Sequence, residues 1–183
     1  MQERTEAVGR YRAADAATPA AGAMTDSGTS SPTDTAGVIA PPPLIYLSAL
    51  GIGFGLDAVM GTGSLPSSIR LPVGSASIIA GAGLMRSFVR AFGRARTPLD
   101  PYTPSQALVT DGPYRLTRNP GYLGMALTYA GIAIVTNSPW ALVPLPVAIA
   151  VIDRGVIARE ERYLTRRFGG PYENYTRRVR RWI

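Results

Sequence analysis

The chain has 183 residues, no cysteine, no histidine and no lysine, and its 19 arginines against 12 acids leave a formal charge of +7. That length holds one domain, and the missing residue types exclude disulfides, zinc thiolate sites, cysteine nucleophiles, the usual histidine base, Ser-His-Asp catalysis and Schiff-base lysines. The arginines lie beside apolar runs, so a bilayer with anionic lipids is the expected partner; nucleic acid is not, and no metal site is expected.

Residues 1–40 are rich in Ala, Thr, Ser and Gly, with three arginines, five acids and almost no large apolar side chains. Such a stretch cannot bury enough surface to offset the entropy of ordering, so it is expected to be a disordered tail. Four apolar segments follow, at about 43–60, 71–92, 120–136 and 139–153. The first is uncharged from Thr35 to Leu56. The second is uncharged from Leu71 to Met85 and extends to Phe92 if Arg86 and Arg90 snorkel toward the headgroups.

The last two share one uncharged run, residues 119–152. As a single helix it would reach ~51 Å, well beyond a ~30 Å hydrocarbon core. Asn137, Ser138 and Pro139 form a turn-like triplet that divides it into a tight helical hairpin. Pro144 and Pro146 should kink the second arm, leaving carbonyls for partner helices to satisfy. The expected fold is all-α: an integral membrane bundle of about four transmembrane helices plus C-terminal juxtamembrane helices.

Orientation follows from the arginines. Residues 86–118 hold six and residues 154–181 hold nine, whereas the connections at 61–70 and 136–139 hold one between them. By the positive-inside rule both arginine-rich segments, and both termini, are cytoplasmic. This is the pattern of a multi-pass protein of the cell (inner) membrane.

Two places carry chemistry. At the start of the third span, Pro120 suits the first turn and Asn119 the N-cap, and the positive end of the helix stands beside Arg115 and Arg118. That combination suits an anion, although the same arginines also suit simple anchoring to headgroups. Gly121 and Gly124 strip bulk from one face and admit a ligand or another helix. After the fourth span, Glu160 and Glu161 sit on a predicted helix over 154–168. Neither has an arginine three or four residues away, so intrahelical pairing does not account for them. Each needs a partner from elsewhere, either Arg115 or Arg118 or a cationic or hydroxyl group of a ligand. Beyond them Tyr172, Tyr175, Val179 and Trp182 recur at helical spacing, the pattern of a short interfacial helix acting as lid or anchor.

The set in order is Gly112-Pro113-Tyr114-Arg115, Arg118-Asn119-Pro120-x-Tyr122-Leu123-Gly124, a hairpin, Arg159-Glu160-Glu161-Arg162-Tyr163-Leu164, then Phe168-Gly169-x-x-Tyr172-x-x-Tyr175-x-x-x-Val179-x-Arg181. It resembles the isoprenylcysteine carboxyl methyltransferase family, which is related to the membrane phospholipid N-methyltransferases. The resemblance implies a membrane methyltransferase domain over 41–183, with a cofactor-binding region at about 96–183. It implies S-adenosyl-L-methionine held by Tyr114, Asn119, Pro120, Tyr122, Leu123, Gly124, Glu160 and Glu161, with Arg115 and Arg118 as the catalytic arginines. Many relatives have His where Asn119 stands. Gly81 and Gly83 could match a Gly-x-Gly of the phospholipid branch.

The implied acceptor is lipophilic: an isoprenylcysteine-like carboxylate, a lipid amine or a small thiol. The lysine-free, arginine-rich composition suggests a high-GC bacterial genome, where prenylated proteins are not expected. A nicotinamide-dependent membrane reductase and a non-catalytic membrane scaffold are the competing classes. Oligomeric state is left open.

Overall fold

The uncharged run over residues 119–152 breaks where its turn triplet stands. In the computed structural model, which describes residues 37, 39–61, 65–98 and 105–183, α3 spans Pro120–Val135 and α4 begins at Pro139. Between them Asn137 adopts a left-handed φ of 60°, a conformation asparagine tolerates better than most side chains. The expected tail over 1–40 lies, except for residues 37, 39 and 40, outside the described residues.

The remaining elements are α1 (Pro42–Met60), α2 (Ser67–Ala95), a 3-10 turn (Gly112–Arg115), α4 (Pro139–Leu142), α5 (Leu145–Ile152), a π-helical segment (Asp153–Ile157), α6 (Ala158–Phe168) and α7 (Gly170–Arg178). No strand occurs among the described residues. Three helical paths are long and apolar enough to cross a membrane: α1, α2 and the 30-residue path Pro139–Phe168. The sequence pattern suggested about four spans. The fourth, α3, has 16 residues and would reach only ~24 Å. Pro120 opens it and the turn at Asn137 closes it, so neither end can be extended.

What α3 lacks in length it gains in closeness to α2. Gly74 and Gly81 on α2 face Gly131 and Gly124 on α3, antiparallel and seven residues apart on each helix. A Cβ on Gly81 would stand 2.6 Å from the Gly124 carbonyl oxygen, and one on Gly131 would stand 2.7 Å from that of Gly74. Glycine is required at these positions because the two backbones touch. Among lipid tails this packing, rather than the hydrophobic effect, drives association. Polar contacts reinforce it: the Ser77 hydroxyl donates to the Leu127 carbonyl at 2.7 Å, and the Arg70 guanidinium donates to the Val135 carbonyl at the C-terminal end of α3.

The core lies between α1, α3 and α5. Tyr46 and Ala49 meet Ala126 and Tyr129 of α3, then Ala148 and Ile152 of α5 and Val156 and Ile157 of the π segment. Facing away, α1 exposes Leu44, Leu47, Ile52 and Val59, and α2 exposes Leu71, Val73, Ile79 and Val89. These are surfaces for lipid tails rather than water. The helix after the turn breaks at Val143 and Pro144, as its prolines require. Beside the break the Tyr129 hydroxyl donates to the Ala141 carbonyl at 2.7 Å.

The chain's end departs from the helical spacing of Val179 and Trp182. α7 stops at Arg178, and Val179 is extended at φ −123° and ψ 131°. The cause is a set of bonds to the strip ahead of α3. The Arg118 N–H donates to the Arg180 carbonyl at 3.0 Å, and Thr117 and Asn119 donate to the Arg181 carbonyl at 3.0 and 2.9 Å. The extended backbone at Val179 carries those two carbonyls to the strip.

Substitution Gly81→Leu should lower stability in detergent by about 2 kcal/mol or more, through overpacking against α3. Gly83→Ala, whose Cβ would meet nothing within 4 Å, should be neutral or stabilising by about 0.5–1 kcal/mol. Thermal unfolding of the two variants measures this; equal losses would show that the glycine ladder does not hold the pair together.

Candidate functional site

The end of the bundle where α2 finishes, α3 begins and α6 and α7 pack encloses a cavity of about 390 Å3. Its walls come from residues far apart in sequence. α2 supplies Phe88 and Phe92, the 3-10 turn Tyr114, the start of α3 Gly121 and Tyr122, and the C-terminal helices Glu160, Tyr172 and Tyr175. The prolines 41–43 at the head of α1 close another side. Phe88, Phe92 and Tyr114 form an aromatic group, with the Tyr114 ring centroid 6.4 and 6.1 Å from the two phenyl rings.

Of the residues singled out from the sequence, Tyr114, Arg118, Asn119, Tyr122, Glu160 and Glu161 line this cavity. Arg115 is exposed outside it, and Leu123 is partly buried away from its wall. Pro120 and Gly124 are buried in helix packing, Gly124 with its Cβ position 3.0 Å from the Gly81 carbonyl oxygen. Asn119 occupies the N-cap position of α3 without capping it; its amide is spent on the Arg181 carbonyl.

The two glutamates have different surroundings. Glu161 is paired: its Oε1 lies 3.0 Å from Arg118 Nη1, and the Arg181 guanidinium forks onto both its oxygens. Arg181 also reaches Asp153 Oδ2 at 3.0 Å, and Trp182 Nε1 donates to Asp153 Oδ1 at 2.9 Å. Glu161 therefore sits in a network of two arginines and a second acid. Bonds to Glu161 raise the Arg181 pKa further, keeping it charged. Glu160 instead accepts one hydrogen bond, from the Tyr122 hydroxyl at 2.6 Å, and pairs with no cation among the described residues. Arg118 contributes the complementary feature, because its Nε is buried with no acceptor. Buried donors are rarely left this way unless water, an ion or a ligand completes them.

Three phenols lining the cavity, Tyr114, Tyr172 and Tyr175, are held neutral. Burial pushes Tyr172 up to about 12, nearby Glu161 adding to the rise and Arg118 opposing it. Burial also raises Tyr175 and Tyr114, with Tyr172 and Glu160 respectively contributing. As neutral groups they donate: Tyr175 to the Tyr114 carbonyl at 2.8 Å. Tyr163 accepts the Ser105 N–H at 2.9 Å, tying α6 to the segment ahead of the turn.

The sequence pattern assigns Tyr172 and Tyr175 to an interfacial lid or anchor and gives Phe88, Phe92, Tyr163 and the three prolines no site role. An aromatic at i and i+3 looks the same whether it meets lipid or a cavity. The sequence pattern gives Arg181 no partner, only a place among the arginines of the last helix and the last position of the family pattern. A signal for it existed, since Glu161 needed a partner from outside its own helix.

A profile of the phospholipid methyltransferase family matches residues 69–170. A probable protein-S-isoprenylcysteine O-methyltransferase of Oryza sativa subsp. japonica is 30% identical over 109 residues, 58% of this chain and 57% of the relative. Protein-S-isoprenylcysteine O-methyltransferase B of Arabidopsis thaliana is 30% identical over 108 residues, 58% of this chain and 55% of the relative. The chain thus spans little more than half the length of these plant relatives. An uncharacterized protein of Haemophilus influenzae is 36% identical over 62 residues, 34% of this chain and 98% of that protein. No solved structure matches.

Arg181→Ala should destabilise the protein by about 1–3 kcal/mol, because it leaves two partly buried carboxylates short of their cation. Arg115→Ala, at an exposed position, should stay within about 0.5 kcal/mol of the parent. Thermal unfolding in one detergent compares them, and a harmless Arg181→Ala would show that the network is incidental to stability.

Proposed function

The chain belongs to the phospholipid methyltransferase family, and we propose that it is an integral membrane methyltransferase using S-adenosyl-L-methionine to methylate the carboxylate of a lipophilic, isoprenylcysteine-like acceptor. The observation that carries this reading is the pair of incomplete groups in one cavity: a carboxylate, Glu160, with no cation, and a buried donor, Arg118 Nε, with no acceptor. A ligand bearing both a cationic and an anionic end satisfies both. S-adenosyl-L-methionine has an ammonium and a carboxylate on one carbon, and an aromatic base suited to the group formed by Phe88, Phe92 and Tyr114.

When bound, the sulfonium donor supplies an activated methyl group: a carboxylate oxygen forms the new C–O bond while the C–S bond breaks, its electron pair goes to sulfur, and no proton moves. The chain's contribution is binding, orientation and exclusion of water. Glu160, steered by Tyr122, accepts from the ammonium or ribose hydroxyls. Arg118, held on its other edge by Glu161, accommodates a carboxylate of donor or acceptor. Met125, Val109 and the two phenylalanines keep the reacting centre dry. A chain without histidine, cysteine or lysine suits this reaction because it calls for no general base. The distribution of arginines argues for a cytoplasmic mouth, both termini cytoplasmic, and insertion in the inner membrane of a bacterium.

The family's name supports a second reading, methylation of a lipid amine. That reaction must release a proton, for which Glu160 is the unpaired acceptor in the wall. Product analysis separates the two.

Incubation with methyl-labelled S-adenosyl-L-methionine and a native lipid extract should label a lipid-soluble product whose label is released by mild alkali, as an ester requires. Alkali-stable label would favour the amine reading, and no labelled product would overturn both.

Glu160→Gln should weaken donor binding about tenfold or more with little change in thermal stability, since a charge-assisted bond becomes neutral. Glu161→Gln should instead lower stability, because two arginines lose their common acid. Calorimetric titration of both variants checks this. Unchanged donor affinity in Glu160→Gln would remove that residue from the binding site.

A further inference from the structure

Glu161 has a second neighbourhood besides the cavity. On another side it borders an open groove together with Asp153, Arg154, Arg162, Arg166 and Arg181. Arg162 and Arg166, four residues apart, share a face of α6, and Arg154 lines the same groove from the π segment. The two acids in the groove are already engaged, Asp153 by Arg181 and Trp182, Glu161 by Arg118 and Arg181. Among the described residues Arg154, Arg162 and Arg166 pair with no carboxylate. The groove therefore carries four arginines against two acids. Neighbouring arginines on α6 are occupied elsewhere, Arg159 donating to the Gly37 carbonyl and Arg167 to the Ser105 carbonyl, each at 2.7 Å. The unpaired cations are thus gathered on the groove rather than spread around the helix.

We propose that this groove binds a phosphate group, supplied by the headgroup of an anionic membrane lipid. Guanidinium forks match phosphate oxygens in geometry as well as charge. The depth fits a headgroup, since Arg154 follows the last uncharged residue of the run over 119–152 by two positions and stands where side chains reach the phosphate layer. The position also matters to the cavity. Arg181 forms part of the groove and holds Glu161, which holds Arg118, so a phosphate that engages Arg181 competes with Glu161 for it. Headgroup occupancy is then felt at Arg118 in the cavity wall, which links the site to the composition of the leaflet.

Trp182, bonded to Asp153 of the groove, supplies a reporter, and with only two tryptophans in the chain a Trp140→Phe background isolates it. The full chain in zwitterionic micelles is titrated with short-chain phosphatidylglycerol, with phosphatidylcholine and, separately, with inorganic phosphate. Trp182 fluorescence should change saturably with phosphatidylglycerol and not with phosphatidylcholine. Arg162→Ala with Arg166→Ala should weaken that response about tenfold or more. Arg177→Ala with Arg178→Ala, which removes the same charge outside the groove, should stay within about twofold. Arg166→Gln alone should move in the same direction if the double variant folds poorly. An equal saturable response to inorganic phosphate would keep the phosphate site and identify a free anion as its source. Equal losses in the two double variants, or no saturable response to any phosphate, would overturn the proposal. The readout does not depend on methyl transfer, so it stands apart from the activity reading above.

Discussion

Everything at the working end of this protein hangs on the ion network in which Glu161 binds Arg118 and Arg181 while Arg181 also binds Asp153. Four segments meet there: the strip ahead of α3, the π segment, α6 and the chain's end. A carboxylate beside a membrane is costly unless paired, and here each charge finds its partner only when the segments close on one another. The backbone bonds of Thr117, Arg118 and Asn119 to residues 180 and 181 follow the same closure. The π segment contributes by carrying Asp153 to face the tail while burying Val156 and Ile157, a re-aiming that a regular turn would not give.

The network also creates the difference between the two glutamates. Because Glu161 absorbs the cations, Glu160 one residue earlier is left facing the cavity with only a phenol for company. Because Arg118 is oriented by Glu161, its Nε is fixed in the wall with its hydrogen-bonding capacity unspent. An unpaired carboxylate and an unspent guanidinium N–H thus line one cavity in a chain without histidine, cysteine or lysine. The same bonds join the cavity to the arginine groove, since Glu161 belongs to both.

The membrane-embedded part does a different task. The glycine contacts between α2 and α3 bring two backbones together over several turns, so that Phe88 and Phe92 at the end of α2 meet Tyr114 and Gly121 at the start of α3. A wider separation would open the aromatic wall to lipid.

Much of this was legible from residue order alone. Hydrophobic runs, the turn at Asn137 and the breaking effect of Pro144 depend on local chemistry, which a sequence displays directly, and so did the need of Glu160 and Glu161 for partners beyond their own helix. Which acid would be satisfied, and by what, was not legible, because Arg181 lies twenty residues beyond Glu161 and reaches it only after the break at Gly169 and the extended residue Val179. The same holds for Tyr172 and Tyr175, whose spacing suits a membrane surface and a cavity wall equally, and for Gly81 and Gly124, whose meeting depends on the register of two helices. By itself the sequence determined the helical class, the membrane setting and the chemistry available, since these follow from composition and short-range periodicity. Only the tertiary structure decided which charges are spent on holding the fold and which remain for a ligand, since that depends on distances between segments far apart along the chain.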